Sequence, residues 1–225
     1  MKQFTPIGMM ASLLLLILFP LVFGPLVVVA LTKLHLSQMA AIYLVFGIIL
    51  GGLINIPVKR IVRDGPMPSN PLAVFGMSSA VPQLTRMGRD TIIAVNLGGC
   101  VIPTALAVYE FGHLLTTAAQ TMTALAVACT ANIVACYFVA RPVEGVGIVM
   151  PAFVSPLAAA GLAMLMAPEH APAVAFIAGV AGPLVGADLL HLKDITKNAI
   201  GVASIGGAGT FDGIVLSGII AAYLA

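Results

Sequence analysis

The sequence predicts an all-α fold, a polytopic integral membrane helix bundle of about seven transmembrane spans with kinked or broken helices. Three observations carry that prediction. Of the 225 residues, 60% are hydrophobic and only 8% charged, whereas soluble chains average about 25% charged, so a water-facing globule would lack the side chains to cover its surface. Apolar windows of about 20 residues, enough to cross roughly 30 Å of hydrocarbon, recur along the chain. Basic residues then gather in alternate connections between those windows. Disordered and nucleic-acid-binding classes are excluded by the same composition, because ten basic residues oppose eight acids without a dense basic cluster. Trp is absent, which leaves four Tyr and ten Phe to furnish any interfacial belt.

Taken in order, the first window is 10–31; it comes after Lys2 and is too long for a cleaved leader, so it reads as a retained span. The second is 38–58. A polar loop, 59–90, comes next, opening on the turn chemistry of RDGPMPSNP. Its centre, LAVFGMSSAVPQL, is 13 residues long, too short to span; it either lies on or dips into the membrane, or is a plain linker. The third window, 91–115, contains Gly98, Gly99 and Pro103, which favour a break, with Asn96 at the breakpoint. The fourth is 117–140. Pro151 and Pro156 bend the fifth, 147–167, and Pro183 bends the sixth, 172–190. The seventh, 209–225, is short. GGLINIP and NLGGCVIP echo one another faintly, as related halves of a transporter would.

Seven spans place Lys2, Lys59, Arg60, Arg63, Arg86, Arg89, Arg141, Lys193 and Lys197 on one side, nine of the ten basic residues, and leave Lys33 alone on the other. Cytoplasmic loops are the basic ones, so the N-terminus is expected inside and the C-terminus outside.

Ionisable groups in hydrocarbon cost a few kcal/mol or more each, so acids in spans are the first functional candidates. Glu110, Glu169, Asp188 and Asp212 qualify by position, although Glu169 and His170 in APEHAP read as a wet turn. Asp188 lies near the end of the sixth span and Asp212 near the start of the seventh, so topology sets both carboxylates at a shallow cytoplasmic depth. Two carboxylates sharing a site do not both ionise cheaply, and such a pair can serve as general acid and general base on one water. Gly182 with Gly186, and Gly209 with Gly213, would let the two backbones approach closely. Gly206, Gly207 and Gly209 permit an open backbone before the second Asp where an extended substrate could pair. Gly207, Gly209 and Asn96 are accordingly the substrate-binding candidates. The plainer reading makes Asp212 a first-turn carboxylate behind a Thr210 N-cap and pairs Asp188 with Lys193 or Lys197.

Asp188, His191 and Asp194 recur every three residues, a spacing that also suits a metal site completed by Asp212, or equally a solvated loop. Glu110 and His113 form a lesser pair of the same kind. No cofactor or resident metal is expected: the glycine runs lack a Lys-Ser/Thr ending, and Cys100, Cys129 and Cys136 have neither haem nor iron–sulfur spacing. These three thiols sit in apolar runs, which argues against a disulfide framework. Ser155 and Ser217 lack a nucleophile elbow.

The stretch from ARPVEGVGIVMPAF through GADLLHLKD to IGGAGTFDGIVLSGIIA resembles a prokaryotic family of multi-pass membrane proteins known as domain of unknown function 1614. That resemblance implies a prokaryotic inner-membrane location and no particular activity. More distantly, an Asp in the sixth span followed by Gly-x-Gly and an Asp in the seventh is similar to presenilin-type intramembrane aspartyl proteases. This likeness implies a catalytic dyad of Asp188 and Asp212 with Gly207 and Gly209 as the glycine pair. Here Asp212 comes three positions after Gly209, and no Pro-Ala-Leu segment lies beyond it. The leading expectation is thus an intramembrane aspartyl-protease-like hydrolase. A small proton- or ion-coupled transporter using the same carboxylates is the alternative, and a non-catalytic assembly subunit the second. Expected partners are membrane lipid, a membrane-protein or small-solute substrate and a second copy of the chain in a homodimer, with no nucleic acid.

Overall fold

The computed structural model describes residues 24–62, 90–143, 147–193, 201–207 and 212–225. It is mostly helical and also contains strands. Helix α1 covers 24–32, and α2 runs Gln38–Gly51 behind an N-cap in which Ser37 Oγ accepts from the Ala40 N–H at 3.2 Å. Strand β1 (Asn55–Val62) pairs antiparallel with β2 (Asp90–Asn96), and β2 pairs parallel with β5 (Gly201–Ile205), in the order β1-β2-β5. A π turn (Leu97–Val101) leads from β2 into α3 (Ile102–Thr117). After α4 (Met122–Val139) comes a short hairpin, β3 (Arg141–Val143) with β4 (Gly147–Val149). Helices α5 (Val154–Met166) and α6 (Ala171–Ala181) come next, α6 runs on as a π segment (Gly182–Leu189), and α7 (Gly213–Leu224) completes the order.

The strands correct the all-α expectation, and their residues explain them. The apolar run from 38 ends as helix at Gly51 because the adjoining segment NIPVKRIV combines β-branched residues with a proline and two cations. Pro57 has no N–H to donate, and it sits on an edge strand at a register shift between Pro57 and Lys59, where a missing donor is tolerated. DTIIAVN likewise favours extended backbone, so the third window starts as strand and becomes helical only at the π turn.

Two of the prolines expected to disturb helices sit at wide turns. Pro183 stands at the start of the π segment, where its ring and missing N–H disrupt the i→i−4 ladder; Leu190 N–H reaches back five residues to the Val185 carbonyl at 3.0 Å. Pro103 stands where the π turn passes into α3, and its missing N–H leaves one helical donor out at that junction.

Three helical stretches are long and apolar enough to cross a membrane: Leu97–Thr117, Ala119–Val139 and Pro168–Leu189, of 21, 21 and 22 residues. Gln38–Gly51, Val154–Met166 and Gly213–Leu224 are apolar but shorter. Size is sorted inside out. The buried core is rich in Ala, while Phe46, Phe138, Phe153, Leu157 and Leu165 face outward. Lipid tails reward large apolar side chains as well as a core does, so small residues are the ones left to bring helices together. Helix α6 is buried on nearly every side and packs against α3, α4, α5 and α7. Its closest crossing is with α7: a Cβ at Gly179 would lie 2.8 Å from the Ser217 carbonyl oxygen, and one at Gly218 would lie 2.7 Å from Val180. These features are those of an integral membrane protein.

Successive helices alternate in direction, which gives the bundle two ends. The sheet end carries β1, β2, β5 and the β3–β4 hairpin, with Lys59, Arg60, Arg141 and Lys193. The turn end carries the 119–121 and 168–170 turns and Lys33, whose ammonium donates to the Tyr223 carbonyl at 2.7 Å.

Candidate functional site

Asp188 and Asp212 both lie at the sheet end. Asp188 is half-buried in the last turn of the π segment, and Asp212 half-buried one residue before α7. Their carboxylates lie within electrostatic reach of each other and of the buried Cys100 thiol, and the Gly206 backbone N–H faces the Asp188 carboxyl. Asp212 is itself the N-cap of α7: its backbone is extended (φ −70°, ψ 147°) and its Oδ1 accepts from the Ile214 N–H at 3.0 Å. The cap is therefore Asp212 rather than Thr210, which lies outside the described residues.

Strand β5 places this pair. It is followed at once by Gly206, whose φ of +71° only glycine adopts without strain. A Cβ there would also stand 2.6 Å from the Gly99 carbonyl carbon and 2.7 Å from the Cys100 nitrogen, so glycine lets β5 dock on the π turn. Gly207 is next, exposed, with its N–H on the Ser204 carbonyl at 3.1 Å. Gly209 lies outside the described residues. Asn96, fully buried, is committed to the scaffold: Oδ1 accepts from Gly99 N–H at 2.7 Å, and Nδ2 donates to the Gly52 carbonyl at 2.8 Å and to Asn55 Oδ1 at 3.1 Å. Ser204 donates to the same Asn55 oxygen at 2.5 Å, so Asn55, Asn96 and Ser204 tie all three strands together beside the carboxylates.

The glycines expected between the two Asp-bearing helices serve another contact. Gly182 and Gly186 face α4, where a Cβ would strike the Asn132 amide and the Ile133 carbonyl. The close approach of α6 to α7 belongs instead to Gly179 and Gly218. Gly213 has only ordinary contacts, the nearest to Met150 at 3.6 Å.

His191 hangs from the end of the π segment. Its Nδ1 lies 3.1 Å from the Gly186 and Ala187 carbonyls; carbonyls only accept, so Nδ1 carries the proton. The ring stacks on Tyr137 with centroids 4.8 Å apart. Asp194, the third member of the candidate metal spacing, and Lys197 lie outside the described residues. Among the described residues no group of three or more His, Cys, Asp or Glu side chains is arranged to hold a metal ion.

Two further buried polar features stand apart from the aspartate pair. Asn132 donates to Ser155 Oγ at 2.9 Å and to the Ala178 carbonyl at 2.8 Å, and Ser155 Oγ meets Ser217 Oγ at 2.5 Å. This buried cluster joins α4, α5, α6 and α7, and its seryl groups are sealed from solvent. Only the presence of polar residues in apolar spans signals it. The second is Glu110, fully buried in α3 with neither carboxyl oxygen hydrogen-bonded among the described residues.

No curated protein and no solved structure matches the chain. A family model does, over residues 49–224, which takes in every strand and helix from the end of α2 to α7. The chain belongs to the family described as protein of unknown function (DUF1614).

Proposed function

We propose that the protein is an intramembrane hydrolase of the aspartyl type, in which Asp188 and Asp212 act together on one water at the cytoplasmic end of the bundle. The observation that carries this reading is the convergence of two half-buried carboxylates from consecutive helices in an otherwise apolar chain. With one proton between them, the ionised carboxylate takes a proton from water as the oxygen attacks a peptide carbonyl. The protonated partner donates to the carbonyl oxygen, giving a tetrahedral diol. Collapse of the diol breaks the C–N bond, the amine leaves with a proton, and the pair regains its single proton. Strand β5 supports an extended peptide as substrate: it is an edge of the sheet among the described strands, and it runs to Gly206 beside Asp188.

The test is cleavage of model transmembrane peptides by the full chain in proteoliposomes. Asp188→Asn and Asp212→Asn are expected to abolish cleavage while the protein still elutes as a folded species. Cleavage that survives both substitutions would overturn the reading. Absence of cleavage together with solute uptake lost in both variants would replace it with ion-coupled transport.

A further inference from the structure

We infer that Glu110 is a proton-binding site inside the membrane, reached from the turn end of the bundle through His113 and His35. The argument rests on where the carboxyl sits and what surrounds it. Glu110 is 0% exposed, and both of its oxygens lack a hydrogen-bond partner among the described residues. It stands thirteen residues from Leu97 and seven from Thr117, the limits of its span, about 20 Å from one end and about 10 Å from the other at about 1.5 Å per residue. Neither end offers its headgroup water directly.

Among the described residues, the elements packed against α3 supply no counter-charge. Helix α6 has no titratable side chain, α2 has only the exposed Tyr43, the π turn has the buried Cys100, and α7 has Tyr223. Lys33, the cation among the described residues at that end of the bundle, is engaged with the Tyr223 carbonyl and lies 5.6 Å over its ring. An ionised carboxylate without a cation or a donor in such a place costs several kcal/mol, whereas the protonated acid is neutral. Glu110 therefore rests as the acid.

A route for the proton is laid out by burial. His113 lies one helical turn nearer the end and is half-buried. His35, exposed in the turn after α1, brings its ring centroid to 5.0 Å from that of His113. The sequence Glu110, His113, His35 thus passes from buried through half-buried to exposed, and imidazoles exchange protons readily near neutral pH. This site lies in the opposite half of the span from Asp188 and Asp212, so it does not depend on the hydrolytic reading.

Two measurements on the full chain in detergent test it. The apolar reagent dicyclohexylcarbodiimide adds to protonated carboxyls, and peptide mapping is expected to find it on Glu110 at neutral pH, less as the pH rises, and never at that position in Glu110→Gln. The exposed Glu169 is the control that stays unlabelled. Infrared spectroscopy is then expected to show a protonated-carboxyl band that disappears in Glu110→Gln. Its shift on transfer to deuterated buffer is expected to slow by about tenfold or more in His113→Ala, the scale of a lost proton relay. An unlabelled Glu110 at neutral pH, or a band unchanged by Glu110→Gln, overturns the site. Exchange unchanged in His113→Ala overturns the route.

Discussion

Asp212 holds two positions at once, because the oxygen that caps α7 belongs to the carboxylate that faces Asp188. The two roles separate by substitution. Asparagine caps as well as aspartate, so Asp212→Asn is expected to leave the unfolding midpoint in detergent nearly unchanged, while Asp212→Ala lowers stability by about 1 kcal/mol. If both variants melt alike, the cap contributes nothing. Asn132 makes the opposite case, a residue whose whole role is packing. A double-mutant cycle with Asn132→Ala and Ser155→Ala is expected to give a coupling of about 0.6 kcal/mol, the usual scale of hydrogen bonds between membrane helices; additive losses would show that the bond is idle. Of these residues, only the aspartates stand out in the sequence, since a carboxylate in an apolar span is costly wherever it points. Asn132, Ser155 and Ser217 lie in three different helices, and nothing in a single sequence says that they meet. Asn96 is visible at the breakpoint of its span, but its three hydrogen bonds depend on Gly52 and Asn55 arriving from α2 and β1.

Among the elements, the helix breaks are the most legible and the sheet the least. Pro103 and Pro183 mark irregular backbone through local sterics, Pro183 inside a π segment and Pro103 directly after one. The strands are concealed because an apolar run long enough to cross a bilayer looks the same whether it continues as helix or turns to strand after fourteen residues, as it does at the end of α2. Pro57, Lys59 and Arg60 are the available signal, being residues that a helix deep in hydrocarbon does not hold. The join between β5 and the aspartates then rests on one glycine. Gly206→Ala forces a left-handed residue into a Cβ clash with Gly99 and Cys100. It is expected to cost about 1–3 kcal/mol, read as a lowered unfolding midpoint, and to impair any activity of the aspartate pair beyond what the lost stability explains. An unchanged midpoint would show that the β5 end moves freely away from the π turn.

At the scale of the whole molecule, orientation decides which solution the aspartate pair meets. Lys59, Arg60, Arg141 and Lys193 stand at the sheet end and Lys33 at the turn end, and basic ends face the cytoplasm. The native thiols are poor reporters, because Cys100 and Cys136 are buried and Cys129 only half-buried. A cysteine at either exposed cation is a good one, and Cys129→Ser removes the remaining background. In intact cells a membrane-impermeant maleimide is expected to label Lys33→Cys readily and Arg141→Cys only after the membrane is opened. The reverse pattern would leave the bundle as it stands but invert its chemistry: the carboxylates and strand β5 would draw water and substrate from outside, and His35 would deliver protons to Glu110 from the cytoplasm. Labelling of both sites in intact cells would mean that the chain inserts in two orientations, which four basic residues at the sheet end against one at the turn end, among the described residues, make energetically unfavourable.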